Sequence, residues 1–241
     1  VNALYFINCD SVKVTRNRIF GAAGGYAIFM QSLTGASGAE NLVANNMIQI
    51  GEANNFTNAI YMSSVPFAGI YYNSVNVTNT ATSTNCNALT LWSGSSTRIL
   101  NNNFVSTGST APYLVYYPTG GIIQSDYNNY FGQGTQVFNG NSTLTSFRGT
   151  QHSGSDNNSK SVAPNFVSST NLRTPSNIDL DSAGVVIPSV TNDFEGNARN
   201  TVKPDIGCVE FAPPTENTGA IAITSPTNPV APGLRDVHVV I

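Results

Sequence analysis

The chain has 241 residues, only 10% of them charged, with a formal net charge of −3 and a pI near 5.2. That balance argues against a nucleic-acid partner, which needs a basic surface. No apolar run is long enough to span a membrane as a helix, and Cys9, Cys86 and Cys208 lack metal-ligand spacing.

Five like units follow one another. The first joins Ala3-Leu4-Tyr5-Phe6 to Val14-Thr-Arg-Asn17-Arg-Ile19. The second joins Ala27-Ile28-Phe29-Met30 to Val43-Ala-Asn-Asn46-Met-Ile48, and the third Ala59-Ile60-Tyr61-Met62 to Ile70-Tyr-Tyr-Asn73-Ser-Val75. The fourth joins Ala88-Leu89-Thr90-Leu91 to Ile99-Leu-Asn-Asn102-Asn-Phe104. The fifth joins Leu114-Val115-Tyr116-Tyr117 to Ser125-Asp-Tyr-Asn128-Asn-Tyr130, a frame degraded at its first position. The asparagines are 29, 27, 29 and 26 residues apart. The apolar second residue of each leading segment precedes its asparagine by 13 residues in four units and by 18 in the second, where Gly35-Ala-Ser-Gly38 reads as a loop insertion.

Each unit thus holds two short alternating segments rich in β-formers, separated by turn residues. No segment carries an apolar face at helical spacing. A fixed period under about thirty residues with short strands predicts an all-β fold, a parallel β-solenoid. Asn17, Asn46, Asn73, Asn102 and Asn128 then fall at one corner. Asparagine tolerates left-handed backbone angles at a turn, and coils stacked about 4.8 Å apart let equivalent amides bond in a ladder. These five read as structural.

Residues 1–131 are the β-helix coils. Residues 132–212 lose the period and read as a loop-rich C-terminal coil and cap of the same domain, covering the open end of the last coil. Residues 213–241 read as a linker, opened by Pro213-Pro214, and the truncated start of a following β-sandwich-like domain, with alternating strands at Ala220-Ile-Ala-Ile-Thr and Val237-His-Val-Val-Ile241. Val1 stands in mid-repeat, so further coils are expected before it. The cysteines differ in repeat phase and read as buried small apolar residues, or as one disulfide with a residue left over.

The Val-x-x-Asn-x-Ile repeats resemble those of the right-handed parallel β-helix (pectate-lyase-like) superfamily. The end segment resembles the C-terminal region of bacterial surface β-helix proteins through Gly154/Asp156/Ser159, Pro164/Phe166, Asp193/Gly196/Arg199 and Asp205-Ile-Gly-Cys-Val-Glu210, with Cys208 in place of the usual alanine. The resemblance implies a single-stranded right-handed parallel β-helix with a loop-rich C-terminal cap, in a secreted or cell-surface bacterial protein. It also implies polysaccharide as ligand class and leaves lyase, glycosidase, adhesin and spacer roles open.

The residues speak against catalysis. Glycoside hydrolysis needs a placed carboxylate pair, yet the acids of residues 1–131 are Asp10, Glu40, Glu52 and Asp126, in unrelated positions. His152 and His238 lack an arguable nucleophile partner and read as surface residues. Lys13, Arg16, Arg18 and Arg98 read as a solvated face, with contact to an acidic polysaccharide as the competing reading. If Leu4, Ile28, Ile60, Leu89 and Val115 point inward, Tyr5, Phe29, Tyr61, Thr90 and Tyr116 point outward as a flat aromatic strip. Tyr5, Phe29, Tyr61 and Tyr116 are the candidate carbohydrate-binding residues, with cover of the strip by residues 132–212 or by Tyr-rich loops as the competing reading. Asp193, Asp205 and Glu210 are expected to hold Arg199 where the chain folds back. No cofactor or metal ligand set is called for, with calcium at the turns left open, and a monomer is expected. The reading is a non-catalytic extracellular module that binds or displays toward polysaccharide. A lyase or glycoside hydrolase with its site on missing coils or long loops is the first alternative, a passive stalk the second.

Overall fold

A computed structural model of the chain describes residues 2–22, 25–51, 57–78, 86–108, 113–118, 121–132 and 140–211, and the backbone of 222–225 and 238–240. Glu52 and most of 213–241 lie outside the described residues.

The first coil consists of β1 (Asn2–Ile7), β2 (Lys13–Thr15) and β3 (Arg18–Ala22). The second consists of β4 (Gly25–Gln31), β5 (Asn41–Ala44) and β6 (Met47–Ile50), the third of β7 (Thr57–Pro66), β8 (Ala68–Tyr71) and β9 (Ser74–Val77). The fourth holds β10 (Cys86–Ser95), β11 (Thr97–Leu100) and β12 (Asn103–Ser106), and the fifth β13 (Val115–Tyr116), β14 (Ile122–Asp126) and β15 (Asn129–Gly132). Every third strand pairs in parallel. The result is three five-stranded sheets, β1-β4-β7-β10-β13, β2-β5-β8-β11-β14 and β3-β6-β9-β12-β15. The chain is an all-β parallel solenoid.

The repeat register is the pairing register. Leu4, Ile28, Ile60, Leu89 and Val115 align in the first sheet. Val14, Val43, Ile70, Ile99 and Ser125 align in the second, and Ile19, Ile48, Val75, Phe104 and Tyr130 in the third. From the second coil onward these columns are almost fully buried, each apolar side chain stabilising the stack by about 1.5–3 kcal/mol. Ser125, the degraded position, is also buried. Its hydroxyl donates to the Asp156 carboxylate, so the core column ends in a polar contact.

At the corner between the second and third sheets the asparagines form a continuous ladder. Asn17 Nδ2 donates to Asn46 Oδ1 at 3.0 Å, Asn46 Nδ2 to Asn73 Oδ1 at 2.9 Å, Asn73 Nδ2 to Asn102 Oδ1 at 2.9 Å and Asn102 Nδ2 to Asn128 Oδ1 at 3.0 Å. The left-handed angles, however, belong to the residue before each asparagine: Arg16, Asn45, Tyr72, Asn101 and Tyr127 have φ of 59, 55, 53, 61 and 56°. The ladder asparagine needs its side chain turned inward, so its predecessor makes the bend. That predecessor's side chain faces out of the corner.

Residues 140–162 cap the fifth coil. A single helical turn, α1 (Leu144–Phe147), is capped by Thr143, whose side chain accepts the Ser146 N–H, and buries Leu144 and Phe147. Phe147 meets Tyr117 and Tyr130. The following segment substitutes for a sixth coil. Lys160 N–H donates to Asn128 O, and Ser159 Oγ accepts the Asn128 N–H, extending the ladder by one hydroxyl. His152 Nε2 accepts the Ser125 N–H at 3.1 Å. His152 therefore belongs to the cap rather than to a bland surface.

Residues 163–211 form a strap along the asparagine corner that passes it more than once. It reaches the first coil at Thr170, whose carbonyl accepts from Arg18, returns to the fourth at Val185, reaches the first again at Phe194, whose carbonyl accepts from Arg16, and returns to the fourth at Gly207. Two of the four cations read as a solvated face are thus spent on strap carbonyls. Beyond the strap, β16 (Ala222–Ser225) and β17 (His238–Val240) form an antiparallel pair. The cysteines are unbridged, and burial pushes the Cys208 thiol up to about 11.

Candidate functional site

The first sheet carries the aromatic residues singled out from the repeats. Tyr5 and Phe29 stack at 4.8 Å with planes 14° apart, and Phe29 and Tyr61 at 5.1 Å and 4°. Tyr26 meets Phe29 and Tyr61 edge-on at 4.8 and 5.0 Å. The column is not the flat strip expected. Coil spacing equals ring-stacking distance, so both faces of Phe29 are covered by its neighbours and only 9% of it is exposed. The column is also interrupted. Thr90 is buried, its hydroxyl donating to Asn58 Oδ1 at 2.6 Å and accepting from Asn87 Nδ2. Tyr116 belongs to a separate group, stacked on Tyr113 at 5.5 Å and tilted against Trp92 at 6.2 Å.

Trp92 escaped the repeat reading. The pairing of β10 with β7 slips between Leu91 and Ser93 and again between Ser93 and Gly94. A bulge of this kind re-aims a side chain, and Trp92 projects from it with 50% of its surface exposed, close to the 55% of Tyr5. Among the described residues, the hydrogen bonds of residues 163–211 to the coils go to the second and third sheets and their shared corner. The strap therefore lies away from the aromatic column, not over it.

Asp193, Arg199, Asp205 and Glu210 come together in the strap, with one carboxylate rather than several on the guanidinium. Arg199 Nη1 pairs with Glu210 Oε1 at 2.8 Å, and Nη2 donates to Asn45 Oδ1 at 2.7 Å and Gly207 O at 3.0 Å. The guanidinium lies 3.7 Å from the centre of the Tyr72 ring. The other two acids receive backbone donors. Asp193 accepts N–H groups of Glu195, Asn197 and Glu210. Asp205 accepts those of Ser182 at 2.8 Å and Phe211 at 2.7 Å. Gly207, at φ 110°, lets the strap pass over the corner; a Cβ there would sit 3.0 Å from Ser74 Oγ. The assembly is a clasp.

Burial pushes the Asp205 carboxyl from 3.8 up to about 6, and the charges of Glu210 and Asp181 push the same way against its two N–H donors. Between about pH 4 and 6 the folded chain therefore holds a proton that the unfolded chain has released. The stability tied to Asp205 is complete below about pH 4 and is lost as pH rises through about 6. Urea midpoints at about pH 7 and 5 should differ less in Asp205→Asn than in the native chain; equal differences would mean that Asp205 does not titrate in this window.

The acids of the coils are used singly. Asp10 accepts from Thr34 Oγ1 at 2.7 Å, and Asp126 accepts the Asn158 N–H and side-chain amide at 2.7 Å each, tying the cap to coil five. Glu40 accepts the Gly38 N–H, which, with Arg98 and Lys13 nearby, holds its carboxyl below the usual range. Asp156 is completely buried among the hydroxyls of Ser125, Tyr130 and Ser159, and desolvation raises its pKa. Among the described residues no group of three or more His, Cys, Asp or Glu side chains is placed to hold a metal ion, and no helix is long and apolar enough to cross a membrane. Comparison with protein-family models, curated proteins and solved structures found no match to this chain.

Proposed function

We propose that this solenoid is a secreted or cell-surface bacterial module, of the pectate-lyase-like kind, that binds extended polysaccharide without cleaving it. The observation that carries this reading is the first sheet. It displays Tyr5, Tyr61, Trp92 and Tyr116 in part to solvent, and the strap runs along a different face. Aromatic side chains give contact area at little entropic cost, and the half-exposed indole of Trp92 has more open surface than the rings enclosed in the column. Retardation in affinity gels cast with plant and bacterial polysaccharides is expected, and its loss in a Trp92→Ala, Tyr61→Ala, Tyr116→Ala variant. Migration unaffected by every polysaccharide would remove the binding role. Release of reducing ends or unsaturated sugars by the purified chain would make it an enzyme.

One observation favours a second reading. The faces of Phe29 are wholly taken by Tyr5 and Tyr61, as a ladder built only to stabilise a stalk would require. In that case the affinity gels stay blank while Phe29→Ala lowers stability by about 3–5 kcal/mol in urea denaturation.

A further inference from the structure

The chain has ten Lys and Arg residues, and the structure accounts for most of them. Arg235 lies outside the described residues. Arg173 pairs with Glu195 and Arg199 with Glu210. Arg16 and Arg18 bond strap carbonyls, and Lys13 and Arg98 lie near Glu40. The remaining three, Arg148, Lys160 and Lys203, line one open groove of about 540 Å³ where the cap meets the strap. Its lining holds no acidic side chain. Tyr127, Asn157 and Ser182 are among the other residues of the wall.

The three cations come from separate segments, and each is anchored by the fold. Arg148 follows α1, and its Nε and Nη2 donate to the carbonyls of Asp156 and Ser159 at 3.0 Å each, which fixes the guanidinium against the cap. Lys160 has its N–H and C=O paired on coil five, so its side chain leaves from a rigid rung. The Lys203 N–H is tied to Asn200 Oδ1 at 3.1 Å. Neither Lys160 nor Lys203 has a carboxylate within ion-pair distance among the described residues. Nearby, Asp126 has its oxygens engaged by Asn158 and the Tyr127 N–H, Asp205 is buried within the strap, and the half-exposed Asp181 stands next to Ser182, outside the lining. Three cations on one groove whose lining holds no acidic side chain repel one another, and an anion relieves that cost. Amide and hydroxyl groups beside them match a ligand that carries hydroxyls as well as charge.

We infer that this groove is a second ligand site, taking a sugar unit that bears a carboxylate or sulfate. The sugar part rests on the proposed polysaccharide-binding role; the preference for an anion rests on the groove alone. The site lies on the cap and strap, apart from the aromatic sheet, so the two are tested separately.

The experiment titrates the full chain at low salt with inorganic sulfate, a polyuronate, a sulfated glucan, a neutral glucan and single-stranded DNA. Backbone amide shifts are followed by NMR. The polyuronate or the sulfated glucan should shift Lys160, Ser182 and Lys203, and the arm that does so names the anion. A Lys160→Gln, Lys203→Gln variant should bind that glycan about tenfold more weakly, with a shallower salt dependence and an unchanged melting curve. Arg148 is left intact because its bonds support the cap. Retardation by neutral polysaccharide through Trp92 and Tyr61 should not change in this variant, so loss of one site is distinguishable from loss of the other. Anionic glycans that leave these amides unmoved, or that bind the variant equally well, would overturn the site. A response to sulfate alone would reduce it to a simple anion site, and tighter binding of DNA at the same amides would overturn the glycan assignment.

Discussion

Arg199→Met is expected to cost about 3–5 kcal/mol of stability, the range for breaking a buried ion pair from one side. The variant leaves Glu210 without its cation, and Asn45 Oδ1 and the Gly207 carbonyl without a donor. It also removes the cation from the Tyr72 ring, a phenol that burial already pushes up to about 12. Methionine fills much of the volume but satisfies none of these groups. An Arg199→Met, Glu210→Gln double variant should recover part of the loss, because no charge is then stranded. Urea denaturation of the three proteins measures it. A single variant within about 0.5 kcal/mol of native would mean that the clasp contributes little.

Asn73→Leu is expected to destabilise by about 3 kcal/mol or more. Asn73 is a middle rung and wholly buried. Its Nδ2 donates to Val43 O and Asn102 Oδ1 at 2.9 Å each, while its Oδ1 accepts the N–H and the Nδ2–H of Asn46 at 3.1 and 2.9 Å. Leucine has a similar size and leaves four buried polar groups without that partner, at about 1–3 kcal/mol for each one that stays unsatisfied. Asn17→Leu, at the half-buried first rung, should cost distinctly less, since water reaches its neighbours. Equal midpoints for the two variants would refute a cooperative ladder.

The coils were legible because a stack repeats its constraints. A column residue meets the same neighbours at every level, so Leu4, Ile28, Ile60, Leu89 and Val115 align from the sequence alone, and they pair in that register. The strap has no period to read. Its path follows the side chains of Arg16, Asn45, Tyr72 and Asn101, which differ in chemistry and look unrelated along the chain. Only the left-handed bend at each makes them equivalent. Trp92 was hidden for a related reason: alternation assigns faces correctly until a bulge slips the register, and the slip falls at that residue. The anionic-ligand groove gathers Arg148, Lys160 and Lys203 from three irregular segments, so no spacing rule could have grouped them.

The outward-facing corner residues have a consequence for how the molecule comes apart. A stack in which each layer touches only its neighbours melts progressively from a weak end, like a one-dimensional chain of coupled units. Here Arg16 holds Phe194, Asn45 holds Asn192 and Arg199, and Tyr72 and Asn101 hold Val185, while at the fifth layer the backbone of the ladder residue Asn128 bonds Ser159 of the cap, from which the strap continues. One continuous segment is thus bonded to every layer. Fraying the first coil means detaching the strap that also grips the second and third, so the layers share their free energy of unfolding rather than spending it separately. Amide hydrogen exchange should then show nearly uniform protection from the first coil to the fifth, where an unstrapped stack would show a gradient.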